Sequence, residues 1–155
     1  MTTVIGIDPG KNETGIVVRN GDNLQYACVV DREDQSDQAY IIDVLETIQN
    51  AQTYVTTNSE LIAVEGLIAP DEMPWLGKKH VGPIIGTAII LGAVLATYPG
   101  AVIVPPGGTG AGPFAGYPEA IRPTGLNPKG FDIMRHLRSA WDIAIAGERL
   151  AKLHR

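Results

Sequence analysis

A chain of 155 residues and 16.5 kDa, 45% of it apolar, has material for one buried core and not two. No stretch of eighteen apolar residues is free of charges or breakers: the best candidate, Val81 to Tyr98, carries Gly82, Pro83, Gly86 and Gly92, so no membrane association is expected. The net charge of −5 weighs against a nucleic-acid partner until its distribution is read. Residues 1–72 hold thirteen Asp and Glu against three Lys and Arg, and residues 73–155 hold four against nine. That division suits a metal site in one half and phosphate contacts in the other, and equally suits ordinary solvated faces.

The N-terminus is neither basic nor followed by an apolar leader, which predicts a cytoplasmic protein. Thr3–Asp8 is a β-branched apolar segment punctuated by Pro9-Gly10, Gly15–Arg19 reads as a second strand, and Asn20-Gly21 is a hairpin signal. Leu24–Val30 follows as a third strand, completing an antiparallel meander with the first strand central. Cys28 stands alone in it, so no disulfide framework or cysteine metal site forms within one chain. Ser36 is placed to cap a helix whose apolar face would carry Ala39, Ile42, Val44, Leu45 and Ile48.

Leu61–Glu65 is a short buried strand, and 66–79 a loop with Pro70, Pro74 and Trp75. An apolar helix is expected over 80–97, ended by Tyr98-Pro99-Gly100, and a fifth strand over Ala101–Val104. From about 105 to 130 the chain turns Gly- and Pro-rich without periodicity, a long irregular loop of the kind that carries function. Asp132–Leu153 is the last helix. The order predicts one α/β domain over 1–155, with a five-stranded mixed sheet (an antiparallel meander plus two parallel strands) flanked by helices.

Three carboxylates sit where a carboxylate is awkward. Asp8 ends the first strand, Glu65 ends the fourth, and Asp142 lies mid-helix between Ala140-Trp141 and Ile143-Ala144-Ile145-Ala146. Buried carboxylates are costly unless paired or bound to a cation. If the first and fourth strands are parallel neighbours, Asp8 and Glu65 emerge at one sheet edge, where the last helix can present Asp142. Hard oxygen ligands of this kind suit Mg²⁺ or Mn²⁺, and two ions about 4 Å apart would serve phosphodiester hydrolysis. Taken singly, each residue reads as readily as a cap or turn former. The Asp8-Pro9-Gly10 turn and Gly15 read structurally too, as a tight turn and a close approach of the chain to the sheet.

At these residues the sequence resembles the RuvC-type Holliday junction resolvases: V-I-G-I-D-P-G-x4-G at 4–15, A-V-E at 63–65, and S-A-W-D-I-A-I-A at 139–146. The resemblance implies a ribonuclease-H-like fold and a homodimeric, divalent-metal-dependent endonuclease that resolves four-way DNA junctions in a bacterial or phage-infected cell. Carried over residue by residue, the resemblance implies Asp8, Glu65 and Asp142 as catalytic metal ligands holding two ions. The family's fourth ligand, three residues before the final Asp, falls on Ser139, which shares the Asp142 face and could contribute through water but is a poor ligand. His136 and Asp132 are the candidates to compensate, although His136, six residues from Asp142, points about 120° away from that helix face.

Lys11, Lys78, Lys79, Arg135 and Arg138 are candidate phosphate contacts. Trp75 either stacks on an unpaired base or plugs the core or the dimer interface. The apolar run Ile84–Leu95 has more hydrophobic surface than one small sheet needs, which supports an interface. A nucleotide-binding module of the actin and sugar-kinase type would need at least twice this length, and Gly107-Gly108-Thr109-Gly110 lacks the Lys-Ser/Thr of a phosphate loop, so no nucleotide cofactor is expected. A branched-DNA-binding protein on a degenerate nuclease fold, with Ser139 as the mark of decay, and a nuclease for forks or flaps are the alternatives.

Overall fold

A computed structural model describes residues 2–67, 81–123, 132 and 134–154. Lys78, Lys79 and Trp75, named above as DNA contacts, lie outside the described residues. Five strands form one sheet: β1 (Thr3–Asp8), β2 (Glu13–Asn20), β3 (Asn23–Asp31), β4 (Glu60–Glu65) and β5 (Val102–Val104), in the order β3-β2-β1-β4-β5. β1, β2 and β3 pair antiparallel, and β4 and β5 join parallel to β1. The mixed sheet expected from the element order is therefore present, with β1 at its centre.

Side chains alternate across a strand, and here both faces are covered, so β1 is buried at every residue. Ile5 and Ile7, with Ile16, Val18, Ile62 and Val64, meet α1 (Asp37–Gln52) and α2 (Val81–Thr97). Val4, Val17, Ala63 and Val104 meet α3 (Arg135–Leu153) and the segment around Tyr117 and Ile121. Ser36 caps α1, its hydroxyl accepting from the Ala39 N–H.

The buried stripe of α1 is Tyr40, Val44, Ile48 and Ala51, which corrects the expected face: Ile42 is 47% exposed and Ala39 lies on the surface. Tyr40 sets the phase. Its hydroxyl donates to the Gly10 carbonyl at 2.9 Å and meets the Thr14 hydroxyl at 2.8 Å, so α1 is hooked to the turn that follows β1. Burial of that phenol pushes its pKa up to about 12.

The third helix starts later than the sequence suggests. Asp132 lies ahead of it, its side chain accepting the Met134 N–H and its carbonyl the Arg135 N–H. Among the described residues of the irregular segment two short 3-10 turns occur, Phe114–Gly116 and Glu119–Ile121. α3 crosses the sheet diagonally at contact distance. A Cβ on Gly15 would strike the His136 carbonyl, one on Gly6 would strike the Ala140 carbonyl, and one on Gly147 would strike Ala63. The helix thus runs from over β2, across β1, to β4.

Candidate active site

The parallel pairing aligns Ile7 with Val64, so Asp8 and Glu65 leave adjacent strands at the same end, and alternation turns both toward α3. Their carboxylates meet. Burial, and then the charge of Asp8, push the Glu65 pKa up, while bonds from the Thr109 hydroxyl and the Gly107 backbone oppose that rise. A buried and a half-buried carboxylate in repulsive contact are a donor set suited to a hard divalent cation, which would relieve that repulsion.

Asp142 reaches this edge from α3. One of its oxygens, Oδ2, accepts from the Tyr117 hydroxyl at 2.7 Å and from the Gly110 N–H at 2.8 Å. Burial and the bond to Asp142 raise the Tyr117 pKa, keeping that phenol a donor. Between Glu65 and Asp142 lies the segment Gly107–Gly110, with positive φ at Gly107, Gly108 and Gly110. Only glycine adopts these angles without strain, and they let Thr109 point back: its hydroxyl donates to Glu65 Oε1 at 3.0 Å.

Ser139, buried on α3, donates to the Thr109 oxygen at 2.8 Å. It therefore connects to Glu65 through Thr109. Among the described residues no three His, Cys, Asp or Glu side chains converge into a ready cation cage. The structure brings Asp8 and Glu65 together directly, and ties Asp142 and Ser139 to them through Thr109-Gly110.

The remaining candidates separate. His136 lies beside Asp8, not Asp142: Nδ1 is 2.9 Å from Asp8 Oδ2, and Nε2 is 3.0 Å from Glu13 Oε2. The bond to Asp8 raises the histidine's pKa against the opposing effect of burial. Asp8 pairs with Gly15 in the β1–β2 register, and the His136 backbone rests on Gly15, so the ring falls next to Asp8 even though it faces away from Asp142 on the helix.

Arg138 and Asp132 require correction. The Arg138 side chain is 2% exposed, ion-paired with Asp132, bonded to the Ile121 carbonyl at 3.2 Å, and set over the rings of Phe114 and Tyr117. It fastens the irregular segment to α3 and is not available to a phosphate. Its hydrogen bond, aided by its charge, holds the Asp132 carboxyl below the usual range, and that carboxylate, engaged by Arg138 and the Met134 N–H, does not join Asp8 and Glu65.

Lys11 and Arg135 are exposed, and the Lys11 stem lies across Gly86 of α2. Glu13, Thr109, Tyr117 and Arg149 escaped the sequence reading. Arg149 lines an open cleft of about 360 Å³ with Gly108, Thr109 and Asp142. Its spacing of seven from Asp142, two helical turns, was the available signal. For Thr109 and Tyr117, inside an aperiodic stretch, there was none.

No protein-family model matches this sequence, and no curated protein matches it. Solved structures do. RuvC of Thermus thermophilus in complex with a Holliday junction substrate superposes with a TM-score of 0.63 at 20% identity, over 99% of this chain and 96% of that one. A second Thermus thermophilus RuvC structure gives 0.56 at 20% identity, over 99% and 97%. At that identity the likeness concerns architecture, and it extends over almost the whole of both chains. The five-stranded mixed sheet with its flanking helices matches the RuvC-type, ribonuclease-H-like fold.

Proposed function

We propose that this chain is a divalent-metal-dependent DNA endonuclease that cuts four-way junctions and related branched DNA, with residues 1–155 forming a single nuclease domain. The observation that carries the reading is the meeting of Asp8 and Glu65 at the ends of two parallel strands, under a helix that brings Asp142 to the same edge. The likeness to a RuvC structure bound to a Holliday junction supports the substrate class.

In this reading Asp8, Glu65 and Asp142 hold Mg²⁺ or Mn²⁺, which supplies Lewis-acid activation of water and stabilises charge on the leaving oxygen. Water attacks the phosphorus in line and the P–O3′ bond breaks, leaving a 5′-phosphate and a 3′-hydroxyl. Tyr117 and the Gly110 N–H hold Asp142 by one oxygen and leave the other to the site. The Thr109 hydroxyl, donating to Glu65 Oε1, would orient that carboxylate and leave its other lone pairs for the cation. Lys11, Arg135 and Arg149 are exposed, and in this reading they meet the DNA backbone.

Two cuts on opposite strands need two sites, and α2 offers a surface for a second copy. Val81, Ile85 and Ile89, spaced four apart on one stripe, are 49%, 54% and 41% exposed. The test is cleavage of a labelled four-way junction beside a linear duplex of the same sequence, with Mg²⁺, with Mn²⁺ and with EDTA. Metal-dependent paired nicks confined to the junction are expected.

A second reading is favoured by the hydroxyl chain Ser139–Thr109–Glu65, which stands where a further carboxylate would strengthen a metal site. Under it the chain binds branched DNA without cutting. Tight junction binding that is indifferent to either metal, with no nicking, would select that reading.

A further inference from the structure

His136 is held at both ends. Nδ1 lies 2.9 Å from Asp8 Oδ2 and Nε2 lies 3.0 Å from Glu13 Oε2, so each ring nitrogen faces a carboxylate. The three side chains come from elements fixed independently. Glu13 and Gly15 lie on the face of β2 that turns toward α3, Gly15 admits the His136 backbone, and Asp8 is the β1 partner of Gly15. The stretch between β1 and β2 is in turn tied down by Tyr40 on Gly10 and by the Arg32 N–H on the Asn12 carbonyl at 2.8 Å. Side-chain exposure falls along the line, from 37% at Glu13 through 31% at His136 to 12% at Asp8. An outer carboxylate therefore orients a ring that orients an inner carboxylate.

We infer that Glu13 is a positioning residue acting through His136: the line Glu13–His136–Asp8 fixes the rotamer of Asp8, which contributes to cation affinity in a chain that carries serine at position 139. The inference rests on the nuclease reading of Asp8 given above. Groups that orient a metal-binding carboxylate without touching the ion typically change its affinity about 10–100-fold.

The test is Mn²⁺ binding to the full chain, followed by the electron paramagnetic resonance signal of the free ion, with Mn²⁺-dependent junction cleavage measured in parallel. His136→Ala is expected to weaken Mn²⁺ about 10–100-fold. Glu13→Ala should weaken it less and in the same direction, and Glu13→Gln, which keeps an acceptor oxygen for the ring, should stay near the unaltered protein. Cleavage by the alanine variants should recover as Mn²⁺ is raised.

Unchanged affinity in both folded alanine variants overturns the inference and leaves the nuclease reading standing. Tighter binding in His136→Ala overturns it too, since the ring would then compete with the ion for Asp8. Complete loss of binding in His136→Ala, matching Asp8→Asn, would make His136 a ligand instead. Should His136→Ala fail to fold, the Glu13→Ala and Glu13→Gln pair decides, because that side chain is partly exposed. If the unaltered protein binds no Mn²⁺ through Asp8, the nuclease reading falls and this inference with it.

Discussion

The two faces of the sheet are closed by opposite means. Toward α1 and α2 the contact is made by large side chains, Ile5, Ile7, Ile16, Tyr40 and Ile48, all essentially without exposure. Toward α3 it is made by the absence of side chains, at Gly6, Gly15 and Gly147, so the helix backbone lies directly on the strands. The first face loses stability when atoms are removed and the second when they are added. The strand-end carboxylates Asp8 and Glu65 lie on the second face, where close seating sets the position of α3 and therefore of His136, Ser139 and Asp142 relative to them.

The sharpest way to separate the faces is a pair of substitutions assayed for junction cleavage per folded molecule. Asp8→Asn is expected to lower cleavage by on the order of 10³-fold or more, with junction binding in EDTA retained. Ile48→Ala, on the other face, should cost about 2–5 kcal/mol in urea unfolding and leave the rate unchanged. Surviving cleavage in Asp8→Asn would remove that residue from the mechanism.

Next in size is Gly6→Val. With the Ala140 carbonyl and Ala144 directly above it, the added side chain has to lift α3, for a loss of about 3 kcal/mol in chemical denaturation. A neutral result would mean that α3 is not seated as closely as the contacts indicate.

Arg138→Ala should cost about 2 kcal/mol, because it strips the partner from Asp132 and the anchor from the Phe114–Ile121 segment. A pH signature accompanies it. The folded Asp132 pKa is lowered, so its contribution is present above the unfolded value of about 3.9 and disappears as pH falls through the lower folded value. The variant should lose that part of its acid sensitivity, read from melting temperatures across the acid range.

The smallest effect has the opposite sign. The folded Glu65 pKa is raised, so folding is favoured by its protonated form: that contribution is full below the unfolded pKa and is lost as pH rises through the folded one. In metal-free buffer at neutral pH, Glu65→Gln should therefore raise the melting temperature while abolishing cleavage. A lower melting temperature there would show that the Thr109 and Gly107 bonds outweigh the repulsion from Asp8.

The sequence alone determined the strands, the antiparallel meander and the strand-end carboxylates. Those features depend on neighbouring residues: β-branched runs, the Pro9-Gly10 and Asn20-Gly21 punctuation, and period-two alternation, which puts Asp8 and Glu65 on one face once β1 and β4 pair. It placed Val44, Leu45 and Ile48 of α1 against the core and erred at Ala39 and Ile42, because the Tyr40 bond to Gly10 sets the phase of the helix.

The diagonal of α3 was decided by the tertiary structure. Measured along the helix, His136 faces away from Asp142. Measured across the sheet, it stands over Gly15 and beside Asp8, 128 residues earlier in the chain. The burial of Arg138 and the return of Thr109 to Glu65 have the same origin. Both depend on where an aperiodic glycine- and proline-rich segment lands on α3, and backbone freedom of that kind leaves no periodic trace in sequence, so only the packed core resolves it.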